Sequence, residues 1–232
     1  MTAVDIKILS THAAMDVLGE LGPKFERASG HRLSFSYDPA KAVRRRIESG
    51  DAFDIAIVTR PVFDILAAAC KLVAESRADI GRSGLGVSVR KGAAKPDIGT
   101  VDAFTRALLN ATSVVRSTEG TSGMYFETLL DRLGIAQVMR GKIVLGPSGR
   151  VAELVARGEA ELAVQQIAEL LPVAGTDYVG PFPPDLQLYS VFSAGVAATS
   201  PQRDACIAFI DTLITPAAIA LFTASGLEPV PR

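Results

Sequence analysis

The sequence contains no tryptophan and only two histidines and two cysteines. Aromatic residues make up 6% of the chain, which argues against a platform of stacked rings that would bind sugars. The few histidines and cysteines show no metal-ligand spacing, so we expect no metal site, and nothing in the sequence calls for a cofactor. Cys70 and Cys206 both lie in apolar helical patterns, which predicts two buried free thiols. The sequence leaves a disulfide between them open.

The chain also lacks an excess of charge and a long apolar run. Its net charge is −1, and Arg44-Arg45-Arg46 fits the solvated face of a helix, so we expect no nucleic-acid partner. No run approaches the about 18 apolar residues of a spanning helix, so we expect no membrane insertion. Met1 leads straight into a strand without the pattern of a signal peptide. Two alternatives follow: a cytoplasmic protein, or a periplasmic one whose leader was removed.

What the chain does contain is a regular alternation of short strands and amphipathic helices. Val4–Leu9 predicts a strand, and the following helix carries an apolar stripe from Ala14 to Phe25. The turn between them, Ser10-Thr11-His12, presents hydroxyls and backbone N–H groups at the carboxyl end of a strand. Such a turn suits an anion, although a plain helix cap explains it equally well.

Two further units of the same kind complete the first 75 residues and predict a parallel sheet. The second strand ends at Tyr37 and the third at Val58, and each is followed by a polar turn that opens a helix. Pro61 fits the first turn of the third helix, where its missing N–H costs nothing. The candidate binding residues of these turns are Asp38, Lys41, Thr59 and Arg60.

Thr100 predicts the start of a helix within 97–111. After this helix, the middle of the chain repeats strand, polar turn and helix three times. The loop from Ser117 to Gly123 is crowded with hydroxyls and glycines just before a helix. We favour a ligand loop here, although hydroxyls at helix starts are also ordinary caps. The candidate binding residues of this part are Thr121, Ser122, Ser148, Arg150, Gln165 and Gln166.

Two passages rich in glycine or proline separate these blocks. The glycines of 81–89 superficially resemble a nucleotide-binding fingerprint, but they precede a strand rather than join a strand to a helix. We therefore interpret them as a connection between lobes. The passage 175–186 predicts a turn or linker. A strand at 188–192 and helices at 201–213 and 216–224 close the chain.

Several segments, taken in their order along the chain, resemble type II periplasmic solute-binding proteins of the molybdate-binding-protein-like branch. The resemblance implies an α/β, two-lobed fold, in which a mostly parallel, helix-flanked sheet forms each lobe and the ligand cleft lies between them. Lobe 1 would be 1–82 plus 188–232 and lobe 2 would be 83–187, with hinge crossings near 80–88 and 178–190. The segments are Ile8–Ser10, Phe25–His31, Ile47–Ala56, Val89–Gly92, Glu153–Ala160, Ala208–Asp211 and Gly226–Leu227.

The same resemblance implies a monomer that captures a small anion, with an ABC-transporter permease as its partner. Ser10 matches the first binding serine of molybdate binders, whereas a glutamine, Gln165 or Gln166, stands where they carry a late tyrosine. His12, Lys41 and Arg60 add donors and cations at the expected cleft, as does Arg150. Because Arg pairs well with planar carboxylates, a di- or tricarboxylate is expected at least as readily as an oxyanion.

A second resemblance points to an alternative function. Ala40–Val43, Arg82–Gly84 and Gln165–Leu170 look like the sub-branch of this fold that includes aconitate isomerase. That resemblance implies a cofactor-free isomerase that moves a double bond by proton abstraction. His12 would be its catalytic base, since an imidazole titrates near working pH.

Overall fold

The computed structural model describes residues 3–231, and these form two compact units. Unit 1 comprises the described residues up to Arg82 together with those from Ser190 onward, and unit 2 is Ser83–Tyr189. Each unit is an α/β layer structure with its own sheet.

Strands and helices alternate along most of the chain. The strands are β1 (Asp5–Ser10), β2 (Arg32–Tyr37), β3 (Ile55–Thr59), β4 (Ala78–Ser83), β5 (Leu85–Arg90), β6 (Val114–Ser117), β7 (Ile143–Gly146), β8 (Leu162–Gln166), β9 (Thr176–Pro181) and β10 (Ser190–Val196). The helices are α1 (Met15–Ser29), α2 (Ala40–Glu48), α3 (Arg60–Ala68), α4 (Val101–Asn110), α5 (Thr121–Arg132), α6 (Ala136–Met139), α7 (Val151–Ala156), α8 (Ile167–Leu170), α9 (Arg203–Leu213) and α10 (Pro216–Ala224).

The sheet of unit 1 has the strand order β2-β1-β3-β10-β4. β1, β2 and β3 are parallel, as predicted, and β10 runs antiparallel to β3. The core on one face of this sheet packs Val43 and Ile47 of α2 and Phe63 and Leu66 of α3 with the apolar side chains of β3. The apolar residues that recur at the helical period in the sequence lie on these buried faces, and their burial stabilises the helices.

The sheet of unit 2 has the order β7-β6-β8-β5-β9. β6, β7 and β8 are parallel, and β5 is antiparallel to both β8 and β9. One face packs on α4 and α5 around Phe104, Phe126 and Phe182, and the other face packs on α7. The carboxyl ends of β6, β7 and β8 therefore meet at one edge, because parallel neighbours end on the same side.

Local sequence signals account for several helix starts. The Thr100 hydroxyl accepts a hydrogen bond from the Ala103 N–H (3.1 Å) and caps α4, as predicted. Pro61 lies in the first turn of α3, also as predicted.

The passage 81–89, which the sequence predicts to connect two lobes, contains the division between the two units, between Arg82 and Ser83. It consists of the end of β4, Gly84 and most of β5. Two other expectations are wrong. The passage 175–186 contains β9, which the distant strand β5 stabilises by pairing with it, so that its glycine and proline do not prevent a strand. Cys70 is exposed, since the chain leaves α3 there with a left-handed φ of 53°. Cys206 is buried as expected, and both thiols are free.

Candidate functional site

In unit 1, the polar turns after the three parallel strands lie at one edge of the sheet. Ser10, the last residue of β1, is in register with Tyr37 of β2 and Ile57 of β3. The Thr11 N–H donates to the Ile57 carbonyl (2.9 Å), and the Asp38 N–H donates to the Ser10 carbonyl (3.0 Å). The sheet thus brings together the turns that the sequence analysis singled out.

The two hydroxyls of the first turn differ in their hydrogen bonding. Ser10 is fully buried, and its Oγ donates to the Thr11 carbonyl (3.0 Å). Thr11 Oγ1 is also buried but has no hydrogen-bond partner among residues 3–231. Buried hydroxyls are normally paired, so Thr11 Oγ1 is a candidate ligand donor.

His12 follows directly and begins a short 3₁₀ turn, His12–Ala14. Its ring lies 6.4 Å from that of Tyr37, measured between centroids. Burial raises the pKa of Tyr37 to about 12, and the nearby Asp16 carboxylate adds to the rise. The Tyr37 phenol therefore stays neutral over the working pH range and can act as a hydrogen-bond donor beside the imidazole.

Arg60 is held by a network within unit 1. Its guanidinium pairs with Asp79 of β4, and Ser193 of β10 donates to the same carboxylate (2.6 Å). Burial would raise the pKa of Asp79, but the hydrogen bonds from Arg60 and Ser193 outweigh burial and lower it. The Arg60 charge is therefore already paired within the protein, with a carboxylate that β4 supplies.

The remaining candidates of unit 1 are more peripheral. The Asp38 carboxylate forms an ion pair with Arg46 of α2, with 2.6 Å between Oδ2 and Nη1. Lys41 is exposed in the first turn of α2, and Thr59 is buried just before α3.

In unit 2, two hydroxyls converge on the N-terminus of α5. Ser117 ends β6 beside Gly146 of β7, and Ser148 lies in the turn that follows β7. A Cβ built on Gly120, the residue that precedes α5, would overlap Ser117 Oγ and lie 3.5 Å from Ser148 Oγ. Both oxygens are buried, and neither has a hydrogen-bond partner in the described chain.

The N-terminus of α5 itself supplies backbone donors to this place. Thr121, Ser122 and Gly123 form its first turn, and the N–H groups of a helix's first turn have no partner within the helix. Gly120 contributes no side-chain cap. A Cβ on Gly123 would collide with the Ser117 carbonyl oxygen, so glycine is what lets the helix start approach the strand end.

Gln165 brings a carboxamide to the same edge. Val115 of β6 is in register with Ala163 of β8, which places Ser117 and Gln165 two residues further along neighbouring parallel strands and on one face. Gln165 is 1% exposed, and neither Nε2 nor Oε1 has a hydrogen-bond partner within residues 3–231. Gln166 is also buried and pairs in register with Leu85 of β5.

The other two candidates of unit 2 lie at the starts of helices, Ser122 in the first turn of α5 and Arg150 just before α7. Ser122 is 2% exposed within α5. Arg150 is exposed and forms an ion pair with Glu153 (3.1 Å), three residues ahead in α7. Its charge is therefore already partly compensated.

Ser117 is a candidate site residue that the sequence analysis does not name among the binding residues. The sequence places it at the start of the favoured ligand loop, whereas it is the fully buried last residue of β6. The available signal was its position one step after an apolar strand and three residues before Gly120. Its importance depends on Gly146 and Ser148, which are distant in sequence.

Neither a metal site nor a single membrane-spanning helix is evident among residues 3–231. No group of three or more His, Cys, Asp or Glu side chains there could hold a metal ion. No single helix in that range is long and apolar enough to cross a membrane, although the bent pair α9 and α10 passes the test of length and composition.

Known proteins resemble this chain over nearly its whole length. A family model described as bacterial extracellular solute-binding protein matches residues 6–228. Aconitate isomerase from a Pseudomonas species is 32% identical over 97% of this chain and 88% of its own length.

Solved structures show the same fold. The periplasmic molybdate-binding protein of Azotobacter vinelandii has a TM-score of 0.80 at 20% identity, covering 98% of this chain and 100% of that one. The sulfate-binding protein SubI of Mycobacterium tuberculosis has a TM-score of 0.77 at 19% identity, covering 98% and 87% respectively. These likenesses confirm the predicted type II periplasmic-binding-protein fold.

Proposed function

This chain belongs to the bacterial extracellular solute-binding protein family, and we propose that it captures a small anion through groups at the strand ends of its sheets. The candidate groups of unit 1 are Ser10, Thr11 and His12, and those of unit 2 are Ser117 and the first turn of α5. The ligand class comprises tetrahedral oxyanions and small di- or tricarboxylates.

One observation carries this proposal. In unit 2, Ser117 Oγ, Ser148 Oγ and both polar atoms of Gln165 are buried without hydrogen-bond partners in the described chain. Leaving such groups unpaired costs about 1–3 kcal/mol each, so their collection at one sheet edge needs an occupant. Hydroxyls, an amide N–H and the N-terminus of α5 are all donors suited to a negative charge.

Two of the candidate cations, both arginines, already have carboxylate partners within the protein. Arg60 is paired with Asp79, and Arg150 is paired with Glu153. Neutral donors therefore carry most of the binding, and preorganised neutral donors stabilise an anion without a formal counter-charge. Thr121, Ser122 and Gln166 complete the candidate set of unit 2, and Asp38, Lys41 and Thr59 complete that of unit 1.

The relatives suggest how the captured anion is used. One structural neighbour is the substrate-binding domain of a molybdenum ABC transporter from Clostridium difficile, with a TM-score of 0.74 at 16% identity and coverage of 99% of this chain and 100% of that one. By analogy of fold, we propose that this chain delivers its anion to an ABC-transporter permease.

A specific observation favours a second candidate function. The relative that is 32% identical over 97% of this chain is an aconitate isomerase. In that reaction His12 would remove a proton from the methylene carbon of the substrate, and the electron pair would spread over the allylic system and its carboxylate. The imidazolium would then return the proton at the other end of that system, so no oxidant or cofactor is consumed.

The anion proposal is tested by ligand-dependent melting followed by calorimetric titration. Sulfate, molybdate, trans-aconitate and, as a control for ionic strength, chloride are each added to the full chain. A bound ligand must raise the melting temperature by mass action. We expect at least one of the first three to do so and chloride not to. Equal melting curves with all four would refute the proposal.

The isomerase candidate needs a separate assay of turnover. The protein is mixed with cis-aconitate, and the formation of trans-aconitate is followed by its ultraviolet absorbance or by NMR. Turnover that is lost in His12→Gln, with stability retained, would support His12 as the catalytic base. Binding of aconitate without conversion would eliminate the enzyme and leave the binding function.

A further inference from the structure

The edge of unit 2 where β6, β7 and β8 end, together with the start of α5, is rich in hydrogen-bond donors. The hydroxyls of Ser117 and Ser148 and the amide nitrogen of Gln165 are buried there without hydrogen-bond partners in the described chain. The N–H groups in the first turn of α5 add backbone donors. An anion can satisfy all of these groups, because each of them can donate a hydrogen bond to a negatively charged oxygen.

The same edge holds one acceptor that a simple anion cannot satisfy. The carboxamide of Gln165 carries an oxygen that only accepts hydrogen bonds, beside the nitrogen that only donates them. Both atoms lack partners within residues 3–231, so the conclusion is the same whichever way round the amide lies. The residue is 1% exposed, so bulk water does not freely supply the missing donor.

The backbone carbonyls at the ends of the neighbouring strands are already engaged. The Ser117 carbonyl oxygen accepts a hydrogen bond from Arg116 Nη1 (3.1 Å). The Gly146 carbonyl oxygen accepts one from the Thr118 N–H (3.2 Å). The carboxamide oxygen of Gln165 differs from both, because no donor of the described chain reaches it.

Gln165 is placed to meet the same ligand as Ser117. β6 and β8 are parallel neighbours with Val115 in register with Ala163, so Ser117 and Gln165, two residues further on, lie side by side on one face. Neighbouring strands are about 5 Å apart, which is within the span of one small anion. The acceptor and the donors therefore belong to one site.

We infer that Gln165 makes this site selective for anions that carry an O–H group of their own. The inference rests on the proposed function and narrows its ligand class. The charged oxygens of such a ligand accept from the hydroxyls and from α5, and its O–H donates to Gln165 Oε1. The class comprises the hydrogen phosphate dianion among the oxyanions and hydroxy acids among the carboxylates.

The size of the selectivity follows from the cost of a buried acceptor that stays unpaired. An acceptor-only anion of the same shape and charge leaves Gln165 Oε1 without a donor, and one such group corresponds to about tenfold in the dissociation constant. Sites built to hydrogen-bond a ligand hydroxyl reject the analogue that lacks it, often by more than this. A site whose free groups were all donors would show no such preference.

The test compares dissociation constants within matched pairs of anions, measured by calorimetry on the full chain. The oxyanion pair is phosphate and sulfate at mildly alkaline pH, where both are chiefly tetrahedral dianions and only phosphate keeps an O–H. The carboxylate pairs are malate with succinate and citrate with tricarballylate, which differ by one hydroxyl. The variants are Gln165→Met, Ser117→Ala and, as the matched control, Gln137→Met, which changes an exposed glutamine of α6.

We expect the wild type and Gln137→Met to bind the O–H member of at least one pair about tenfold or more tightly than its partner. Gln165→Met should bind the two members of that pair nearly equally, because it removes the acceptor. Ser117→Ala should weaken both members and keep their ratio, because it removes a donor that both of them use. A role of Gln165 in folding alone would not change this ratio.

Equal binding within every pair by the wild type, or tighter binding of the member without an O–H, would overturn the inference and leave the proposed function intact. A preference that persists in Gln165→Met would do the same, since another group would then recognise the O–H. Binding of molybdate or trans-aconitate but of no member of the pairs would also overturn it. Failure of all these anions to bind would instead refute the proposed function, and the inference with it.

Discussion

The Arg116 guanidinium donates a hydrogen bond from Nη1 to the carbonyl oxygen of Ser117 (3.1 Å), while the Ser117 hydroxyl has no partner in residues 3–231. Arg116 is itself buried and is anchored to Glu127 of α5 (3.1 Å). The polar carbonyl at the end of β6 is thus satisfied by the protein, and only the hydroxyl is left to a ligand. The carbonyl of Ser117 thus helps to hold the end of β6 in place, and its hydroxyl is available to bind a ligand.

The close approach of α5 to this strand end predicts opposite effects of two glycine-to-alanine changes. Gly123→Ala places a Cβ against the Ser117 carbonyl oxygen, so we expect a loss of about 2 kcal/mol or more of unfolding free energy. Gly19→Ala, within α1, meets nothing within 4 Å and should stabilise the protein by up to about 1 kcal/mol.

Urea denaturation of the two variants beside the wild type measures both effects. A Gly123→Ala variant as stable as the wild type would show that the helix start can move away from β6, and the backbone donors of α5 would then not be fixed.

The Arg60–Asp79 pair predicts a change in acid stability. Asp79→Asn removes a carboxylate that also accepts from Ser193, and we expect a loss of about 1 kcal/mol at neutral pH, discounted because Arg60 is about one-third exposed. Because the folded-state pKa of Asp79 is lowered, its stabilisation is present above the unfolded pKa and is lost as the pH falls through the folded value. The unfolding free energy should therefore fall less steeply on acidification in Asp79→Asn than in the wild type.

Asp64→Asn is the matched control, since Asp64 pairs with Arg77 (3.1 Å) where both side chains are well exposed. We expect its unfolding free energy to change by less than about 0.5 kcal/mol. Melting temperatures measured from acidic to neutral pH compare the two variants, and identical acid limbs for Asp79→Asn and wild type would contradict the role of this network.

The two thiols should react at very different rates. Burial raises the pKa of Cys206 to about 11, with the Ser200 hydroxyl acting weakly in the opposite direction. At mildly alkaline pH a disulfide reagent such as DTNB should therefore modify Cys70 rapidly and Cys206 only on unfolding. Loss of the fast phase in Cys70→Ser identifies the reacting thiol, and two fast thiols in the native wild type would contradict this assignment.

Much of the fold could be predicted because its signals are local. The apolar stripe of α1, the Thr100 cap and Pro61 each act within a few residues of their own position. β9 was missed because its partner β5 is about 90 residues away, and pairing overrides the glycine and proline within it. The prediction of the site was limited for the same reason. Ser117 lies beside Gly146 only because the register of the sheet brings the two together.

The ion pairs of the candidate arginines could not be predicted from the sequence either. Arg60 and Arg150 were predicted to hold ligand carboxylates, and nothing local distinguishes a ligand cation from one with a protein partner. β4 supplies Asp79 to Arg60, and that strand was not recognised. The roles of the predicted binding residues stay predictions until ligands are measured.

The most direct measurement is the anion affinity and the stability of Ser117→Ala, taken together. The Ser117 hydroxyl has no hydrogen bond to lose within the described chain, so we expect an unfolding free energy within about 0.5 kcal/mol of the wild type. Its dissociation constant for the bound anion should rise about tenfold or more. An unchanged dissociation constant with intact stability would show that this sheet edge does not bind the anion.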